Sequence, residues 1–384
     1  MNYMIEQIKS IPELLRSQYE TLLKLNKDLF TPKVCKPLQR IFITGCGDSH
    51  HAGINTQFAF QYLSGLPTEF GTSMHMARYH AGFLPKTGPN TNLAIAISVS
   101  GEVTRTYEAL KAYQDAGALT VAFTATPGSR LASAGNLIFE VPNPAFPVPQ
   151  HTFVPGVRSF ALNLFALYLI AIQIGEARGY LSAELASTWR QELVSVIDAI
   201  EIAIKENQHP AKALAEKWQD SREYVFLGSG PNFGIALFSA AKLLEATGDS
   251  ALGQDMEEWA HLQYFEKEVN TPTVLITAAE RDTSRVAEIL VAARTIGRRV
   301  GIICPSDAHE LIKLADEALT FPRVREMFSP LISQIAGELF AAYRAEVIGE
   351  PYFRNLTGGR SVEGGGGISR IRTSETWNGW QNEA

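Results

Sequence analysis

Short apolar stretches alternate with longer segments of helical spacing along most of this 384-residue chain. RIFITG, NLAIAI and LTVAF in the first half have the apolar, β-branched character of buried strands, as do EYVFLG, PTVLI and RVGIIC in the second. The segments between them place apolar residues three and four positions apart, which is typical of helices packed on one face. Such an alternation predicts an α/β protein with parallel sheets and helices on both faces.

The same order of elements occurs twice. Each half reads strand, Gly-x-Gly turn, helix, strand, Thr-containing turn, helix, strand. Gly45 and Gly47 correspond to Gly228 and Gly230, and the following Thr-containing turns correspond as well. The copies lie too far apart for a solenoid, so we expect two similar domains. Parallel sheets bind ligands at the carboxyl ends of their strands, where the glycine turns should lie.

The turn ISVSGEVTRT, residues 97–106, joins a predicted strand to a predicted helix and is rich in hydroxyl side chains. Hydroxyls and unpaired N–H groups at a helix N-terminus favour phosphate, sulfonate or carboxylate. An ordinary turn that uses Ser and Thr as helix caps fits the same letters. The turn by itself therefore leaves an anion site and a plain turn open.

Composition and charge exclude several classes. We expect no basic surface for nucleic acid, because the net charge is −6, the pI is near 5.8 and the sequence has no Lys/Arg block. The longest apolar run, residues 160–175, contains two amides and is short for a membrane span, so we expect a buried core helix and no membrane partner. Three scattered cysteines and an N-terminus without a signal-peptide core favour the cytoplasm and argue against a disulfide framework.

No cofactor is expected from the glycine turns. Neither completes G-x-G-x-x-G, because His50 and Phe233 stand at the third glycine position, so a dinucleotide is disfavoured. His50 and His51 lie at the first turn, but the sequence offers no evident third ligand there, so we expect no metal.

The two-copy pattern, with CGDSHHAG and SVSGEVTRT in the first copy, resembles the SIS (sugar isomerase) domain. Over about residues 38 to 362, the chain resembles the isomerase half of glucosamine-6-phosphate synthase and the related fructosamine-6-phosphate deglycases. The resemblance implies two SIS domains, each a doubly wound, flavodoxin-like α/β/α sandwich. The expected bounds are 1–37 for an N-terminal helical segment, 38–180 and 219–350 for the SIS domains, 181–218 for a helical connector, and 351–384 for a tail that closes over the site. No catalytic Cys follows Met1, so glutamine-dependent synthesis is not expected.

The second copy contains AAKLLEATGDSALGQDMEEWAH, where the family carries a Lys, a catalytic Glu three residues later and a His sixteen beyond that. Lys242, Glu245 and His261 match these places. The resemblance implies that the Glu245 carboxylate is the base for the proton that moves between C1 and C2 of the sugar. It implies that His261 is the acid/base that opens the sugar ring and that the Lys242 ammonium lies beside the developing oxyanion. The residues alone equally fit a solvated i, i+3 helix pair and a polar histidine on a loop.

The resemblance also implies a sugar-phosphate pocket built from two hydroxyl-rich turns, with further contacts from FVPGVRSFALNL and RNLTGGRSVEG. Arg158 could instead cap a helix or bind a surface carboxylate. The expected substrate-binding residues are Asp48, Ser49, His50, Ser98, Ser100, Arg105, Thr106, Gly156, Arg158 and Arg360.

Several positions depart from the family, and Gly156 and Arg158 stand where family members commonly have Ser and Lys. Asp48 stands where the family has Thr or Ser, and Val103 where it has Thr, so the pocket gains a charge that repels a dianion and loses a donor. The ligand could be a sugar phosphate held with help from Arg105 or His50, a monoanion such as a sulfonate, or a neutral hydroxymethyl group bound to Asp48. Arg360 falls nearest the family's imine-forming Lys, and a protonated guanidinium cannot form an imine.

The function expected from the resemblance is an aldose–ketose isomerase that acts on a hexose carrying a 6-phosphate or 6-sulfonate, through an enediol. A fructosamine-6-phosphate deglycase and a non-catalytic sugar-binding regulator remain alternatives. The family's His reaches the site of a neighbouring subunit, so we expect a homodimer with shared sites. Trp259, Tyr264 and Phe265 are spaced like an interface patch, after a polar, turn-rich stretch TGDSALGQD; they could instead pin the loop onto their own domain.

Overall fold

The computed structural model describes residues 2–84, 88, 90–150, 152–361, 363 and 374–377. The chain divides into two compact units, each of which contains one five-stranded sheet. The sheet-1 unit comprises, over the described residues, Gln18–Pro144, Phe165–Arg190 and Leu356–Ala384, and the sheet-2 unit comprises Met1–Ser17, Ala145–Leu164 and Gln191–Asn355. These bounds differ from the predicted 38–180 and 219–350, since the N-terminal residues and residues 145–164 group with sheet 2.

The strands and helices follow the predicted alternation. The strands are β1 Arg40–Gly45, β2 Thr68–Thr72, β3 Asn92–Ile97, β4 Leu119–Thr124, β5 Leu137–Glu140, β6 Glu223–Gly228, β7 Ser250–Asp255, β8 Pro272–Ile276, β9 Arg299–Pro305 and β10 Glu317–Phe321. The α-helices are α1 Tyr3–Lys9, α2 Ile11–Leu29, α3 Pro32–Cys35, α4 Asp48–Ser64, α5 Ser73–His75, α6 Thr104–Asp115, α7 Arg130–Ala134, α8 Arg158–Arg178, α9 Ala183–Lys217, α10 Phe233–Thr247, α11 Met256–His261, α12 Thr283–Thr295, α13 His309–Ile312 and α14 Pro330–Ile348.

Both sheets are parallel and have the same topology. Sheet 1 has the order β2-β1-β3-β4-β5, and sheet 2 has the order β10-β9-β8-β6-β7. Numbered from its own first strand, each sheet reads 2-1-3-4-5, which is the flavodoxin-type order. The predicted fold class, two doubly wound α/β domains, is confirmed.

The sequence pattern anticipates the inner strands and misses the outer ones. The six strands it predicted are β1, β3, β4, β6, β8 and β9, while β2, β5, β7 and β10 flank them. The expectation of a turn-rich stretch after the catalytic-helix candidate is wrong, because Ser250–Asp255 is strand β7, paired in parallel with β6. Strand β7 is half-exposed at the edge of its sheet, so it lacks the apolar signature of a buried strand.

Glycine allows each first helix to return close to the end of its strand. A Cβ on Gly45 would lie 2.6 Å from the Ser49 Cβ, and one on Gly228 would lie 2.3 Å from the Asn232 carbonyl oxygen. Both distances are shorter than any ordinary contact. The Gly-x-Gly turns therefore place the starts of the following helices directly at the carboxyl edges of the sheets.

The predicted core helix is confirmed, whereas the predicted exposure of Trp259 is wrong. The run at residues 160–175 lies within helix α8, as expected. By length and composition α8 could cross a membrane, but 94% of its most apolar window is buried inside the structure, as in a core helix. The inclusion of Trp259 in an interface patch is wrong: its ring is fully buried in the sheet-2 core beside Met256 and Leu275.

A close contact between β7 and α10 yields a stability prediction. A Cβ on Gly253 would lie 2.5 Å from the Leu237 Cα, which is backbone that cannot move aside cheaply. We expect Gly253→Ala to lower the free energy of unfolding by about 1–3 kcal/mol, measured by urea denaturation. Gly128→Ala is the matched control, because a Cβ there meets nothing within 4 Å. Equal unfolding midpoints for the two variants would contradict this packing.

Candidate functional site

The two predicted turns meet at one edge of sheet 1. Gly45, the last residue of β1, pairs with Ile97, the last residue of β3, so the glycine turn and the serine turn leave the sheet side by side. Strands β1 and β3 are also where the strand order reverses direction. Open α/β sheets bind their ligands in the crevice at such a point, outside the carboxyl ends of the strands. We call these two turns, residues 45–51 and 98–106, the cradle.

The serine turn is shaped by its own hydrogen bonds. Ser98 is buried, and its Oγ accepts a hydrogen bond from the Gly101 N–H at 3.2 Å. Gly101 has φ +67°, a conformation that favours glycine, and a Cβ there would collide with the Ser129 Oγ. Ser100 is exposed, and its Oγ accepts from the Glu102 N–H at 3.3 Å. Ser100 is therefore the more accessible of the two predicted serine ligands.

Helix α6 begins without a side-chain cap. Val103 occupies the cap position and makes no side-chain hydrogen bond to the helix start. Thr104 is fully buried, and its Oγ1 has no hydrogen-bond partner among the described residues. Thr106, the predicted ligand, is also fully buried; its hydroxyl contacts the Ser73 Oγ at 3.2 Å and the Cys46 Sγ at 3.7 Å. The Thr106 hydroxyl thus already belongs to an internal network.

The first turn of α4 carries the other cradle residues. Asp48 is its first residue, and an Asp48 carboxylate oxygen lies 3.9 Å from the His51 Nδ1. Ser49 is buried beneath it. His50 packs its ring 5.8 Å from Phe70 of β2, the strand on the far side of β1 from β3. Burial lowers the pKa of His50, and a hydrogen bond to the backbone of β2 opposes this shift, so the ring favours its neutral form.

Arg105 is paired with groups that the sequence analysis did not identify. Its Nη1 lies 2.5 Å from an oxygen of the buried Glu108, and the Nε of Arg78 donates to the other oxygen at 2.6 Å. The Arg105 Nη2 donates to the Ser374 Oγ at 3.2 Å. The i, i+3 spacing of Arg105 and Glu108 was the available signal, whereas nothing local in the sequence links Arg78 or Ser374 to this turn.

The sheet-2 unit brings Lys242 and Glu245 together on α10. Their Nζ and Oε2 atoms are 2.6 Å apart. The Lys242 side chain is fully buried, while 27% of the Glu245 side chain is exposed. The Lys242 Nζ also lies 5.0 Å from the ring centroid of Phe238, which adds a cation–π contact. The structure thus brings these two predicted residues together, with the carboxylate more accessible than the ammonium.

The last turn of α10 is stabilised from outside the helix. The Arg354 Nη2 donates to the main-chain carbonyl of Glu245 at 3.2 Å, so a cation lies at the negative end of the helix. A Cβ on Gly248 would overlap the Arg354 guanidinium, and Gly248 has φ +75°. Arg354 was not predicted, because it follows α14, far from α10 in the chain, and nothing local in the sequence indicates this contact.

His261 ends helix α11 and is 68% exposed. Its Nε2 lies 3.2 Å from a Glu257 carboxylate oxygen. The Arg285 guanidinium contacts both Glu257 oxygens, at 2.7 and 2.9 Å, and lowers the pKa of that carboxyl. A histidine held by an ionised carboxylate is an oriented acid/base group. Glu257 and Arg285 were not predicted, although the i, i+4 spacing of Glu257 and His261 was visible.

The remaining predicted residues lie in varied surroundings. Arg158 begins α8, and its Nη1 donates to the Ser10 Oγ at 3.1 Å, with Phe146 5.2 Å from the guanidinium. Gly156 is half-buried just before it. Arg360 ends a short 3₁₀ turn and is exposed.

Three open clefts of about 220, 330 and 340 Å³ lie in the sheet-2 unit, and none is lined by a predicted site residue. Within the part of the chain that the structure describes, no group of three or more His, Cys, Asp or Glu side chains could hold a metal ion.

A family model matches the part of the chain that contains the strands of sheet 1. Residues 36–173 match the SIS domain family, which confirms the resemblance to the SIS domain over this part of the chain.

Similarity extends well beyond that domain. The chain is 24% identical over 349 residues to the glutamine–fructose-6-phosphate aminotransferase (isomerizing) of Clostridium tetani, covering 89% of this chain and 55% of that protein. It therefore spans about half the length of this relative. The C-terminal domain of the Francisella tularensis glucosamine-fructose-6-phosphate aminotransferase superposes with a TM-score of 0.79 at 18% identity, covering 90% and 96% of the two chains. The tagatose-6-phosphate ketose/aldose isomerase of Escherichia coli superposes at 0.66 with 15% identity, covering 91% and 94%.

The environment of His50 predicts a pH dependence of stability. Its folded pKa lies below the unfolded value of about 6.5, so the unfolded chain binds the proton first as the pH falls. The stabilisation is present above that value and is lost as the pH falls toward the folded pKa. We expect His50→Gln to flatten the decline of unfolding free energy between about pH 7.5 and 5.5, by at most ~1.4 kcal/mol per pH unit. Urea titrations measure this slope.

His309→Gln is the control for that series, because His309 is exposed. Its slope should match that of the unsubstituted protein. If His50→Gln also retains the full slope, the folded protein binds the His50 proton as readily as the unfolded chain does.

Proposed function

We propose that this protein is an aldose–ketose isomerase that acts on a hexose with an anionic group at C6, a phosphate or a sulfonate. The observation that carries the proposal is the pair formed by the buried Lys242 and the accessible Glu245, 2.6 Å apart on α10. It is supported by the SIS domain at residues 36–173 and by the likeness to proteins named as isomerising aminotransferases and a ketose/aldose isomerase.

In the proposed reaction, Glu245 takes the proton from C2 of the open-chain aldose, and an enediol forms as the electron pair moves toward O1. The proton of the O2 hydroxyl passes to O1 as the carbonyl forms at C2, and the Glu245 carboxyl returns its proton to C1. The product is the ketose, and the step needs no oxidant or reductant. Lys242 stabilises the negative charge that develops on the sugar oxygen. His261, oriented by Glu257, serves as the acid/base that opens the sugar ring.

The anionic end of the sugar is proposed to bind at the cradle. The uncapped start of α6 and the exposed hydroxyl of Ser100 provide donors there. The Asp48 carboxylate disfavours a dianion, because like charges repel. The affinity for the anion should therefore depend most on Arg105, the cation of the cradle. A cytoplasmic location and independence from cofactors and nucleic acid form part of the same proposal.

Replacing the proposed base gives a direct test. Glu245→Gln keeps the side-chain volume and removes the basic carboxylate, so turnover should fall about 10²–10⁴-fold while sugar binding persists. NMR in D2O detects the exchange of the C2 proton when glucose, mannose and glucosamine 6-phosphates, 6-sulfo-hexoses and fructosamine phosphates are screened. Release of an amine from the last group would instead identify a deglycase.

Two controls accompany this variant. Glu216→Gln changes an exposed carboxylate on α9 and should leave turnover unchanged. Because Glu245→Gln leaves the buried Lys242 with a neutral partner, its unfolding midpoint must be measured as well. Near-normal turnover in a folded Glu245→Gln protein would contradict the assigned base, and silence of the unsubstituted protein on every sugar would favour a sugar-binding regulator.

We also propose that the protein is a homodimer in which His261 acts in the partner's site. His261 is 68% exposed on its own chain, and the neighbouring Leu262 and Phe265 are 56% and 74% exposed, with Tyr264 packed against Phe265. An exposed acid/base beside exposed apolar rings suits a two-fold interface. Tyr264 and Phe265 keep the role that the sequence suggested, without the buried Trp259.

Complementation between inactive subunits tests this arrangement. Glu245→Gln subunits are mixed with His261→Ala subunits under conditions in which subunits exchange. If His261 acts in trans, each mixed dimer contains one intact pair, and activity should return at up to half the wild-type level per dimer. If exchange is demonstrated by mass spectrometry and activity does not return, the site is built within one chain.

A further inference from the structure

The described C-terminal residues Ser374–Trp377, here called the clasp, dock on the first turn of α6. Ser374 accepts a hydrogen bond from the Arg105 Nη2 at 3.2 Å, and the same nitrogen donates to the main-chain carbonyl of Glu375. The Trp377 N–H lies 3.5 Å from a Glu108 carboxylate oxygen, and the Arg78 guanidinium lies 5.5 Å from the Trp377 ring centroid. The clasp therefore covers the cation assigned to the cradle.

The clasp occupies hydrogen-bond donors of Arg105 that an anion would need. A guanidinium binds an oxyanion in a bidentate manner through two parallel N–H groups, either one from each Nη or one from Nη2 and one from Nε. The Nη1 is paired with Glu108, and both hydrogens of Nη2 are directed at the clasp. Either bidentate geometry requires Nη2, so a bidentate anion and the clasp cannot occupy Arg105 together.

The charges around this contact favour replacement of the clasp by an anion. Arg78 and Arg105 both contact the buried carboxylate of Glu108, so these three side chains together carry a net charge of +1. The described contacts of the clasp with these two guanidinium groups come from neutral groups: a hydroxyl, a main-chain carbonyl and an aromatic ring. A guanidinium hydrogen bond to an oxyanion gains a Coulomb attraction between opposite charges that a neutral acceptor does not supply. A phosphate or sulfonate should therefore displace the clasp.

We propose that the clasp is an autoinhibitory contact: it holds Arg105 in the ligand-free protein and leaves it when the anionic end of the substrate binds. This inference rests on the proposed function, in which the cradle takes that anionic end. The clasp lies outside residues 38–362, over which the chain resembles known SIS enzymes, so the resemblance does not imply this contact.

The first arm of the test needs no ligand. Hydrogen–deuterium exchange of the peptide that contains Ser374–Trp377 is compared between the unsubstituted protein and Arg105→Gln. Loss of the guanidinium should speed exchange in this peptide. Unchanged exchange would overturn the contact, whatever the substrate proves to be.

The second arm measures competition by calorimetric titration with fructose 6-phosphate. Trp377→Ala, and a chain that ends at residue 373, should bind it about 5- to 50-fold more tightly than the unsubstituted protein. Glu375→Asp is the matched control and should leave affinity unchanged, because the clasp uses the main-chain carbonyl of that residue.

The outcomes separate the two proposals. Equal or weaker binding by Trp377→Ala and by the shortened chain would overturn autoinhibition while the proposed anionic substrate stands. No binding of fructose 6-phosphate by any variant would overturn the phosphate form of the proposed substrate and its competition with the clasp, while the sulfonate form of the proposed function stands. Slower exchange of the clasp peptide on addition of fructose 6-phosphate would show a lid that closes over the ligand, which is the opposite of this proposal.

Discussion

The close return of a helix onto the end of its own strand is the constraint on which both units depend. At Gly45 and Gly228 any side chain would overlap the helix that follows, so the turn tolerates only glycine and the helix N-terminus stays at the carboxyl edge of the sheet. In sheet 1 this brings the start of α4 beside the serine turn. The cradle is thus a product of backbone packing, and its side chains only adjust a position that the glycine has already determined.

The inner strands could be predicted because they are buried on both faces and read as continuous apolar runs. The outer strands could not, since β2 and β7 mix polar residues with a glycine and are partly exposed. The misassigned Trp259 has a related cause: an aromatic residue beside polar ones looks the same in sequence whether it faces solvent or the core. Only the packing of α11 on sheet 2 distinguishes the two.

In the candidate site, contacts within one helix could be predicted from the sequence, and contacts between segments far apart in the chain could not. The contact between Lys242 and Glu245 follows from i, i+3 spacing on a helix, which sequence reveals directly. The partners of Arg105 do not, because Arg78 and Ser374 reach it from elements far away in the chain. The sequence shows which charged residues lie near a turn, but only the fold shows which of them are paired with an opposite charge. This pairing controls how strongly the turn can attract an anion.

The open edges of the two sheets carry a consequence for behaviour at high protein concentration. Over the residues that the structure describes, strands β2 and β7 each pair with another strand on one side only, as edge strands do. Each is short, and each contains a glycine and an acidic residue, which offer an incoming chain little apolar surface and a repelling charge. Edges of this kind resist the strand-to-strand stacking that begins aggregation, so the residues that make these strands hard to recognise also help to keep the folded molecules apart.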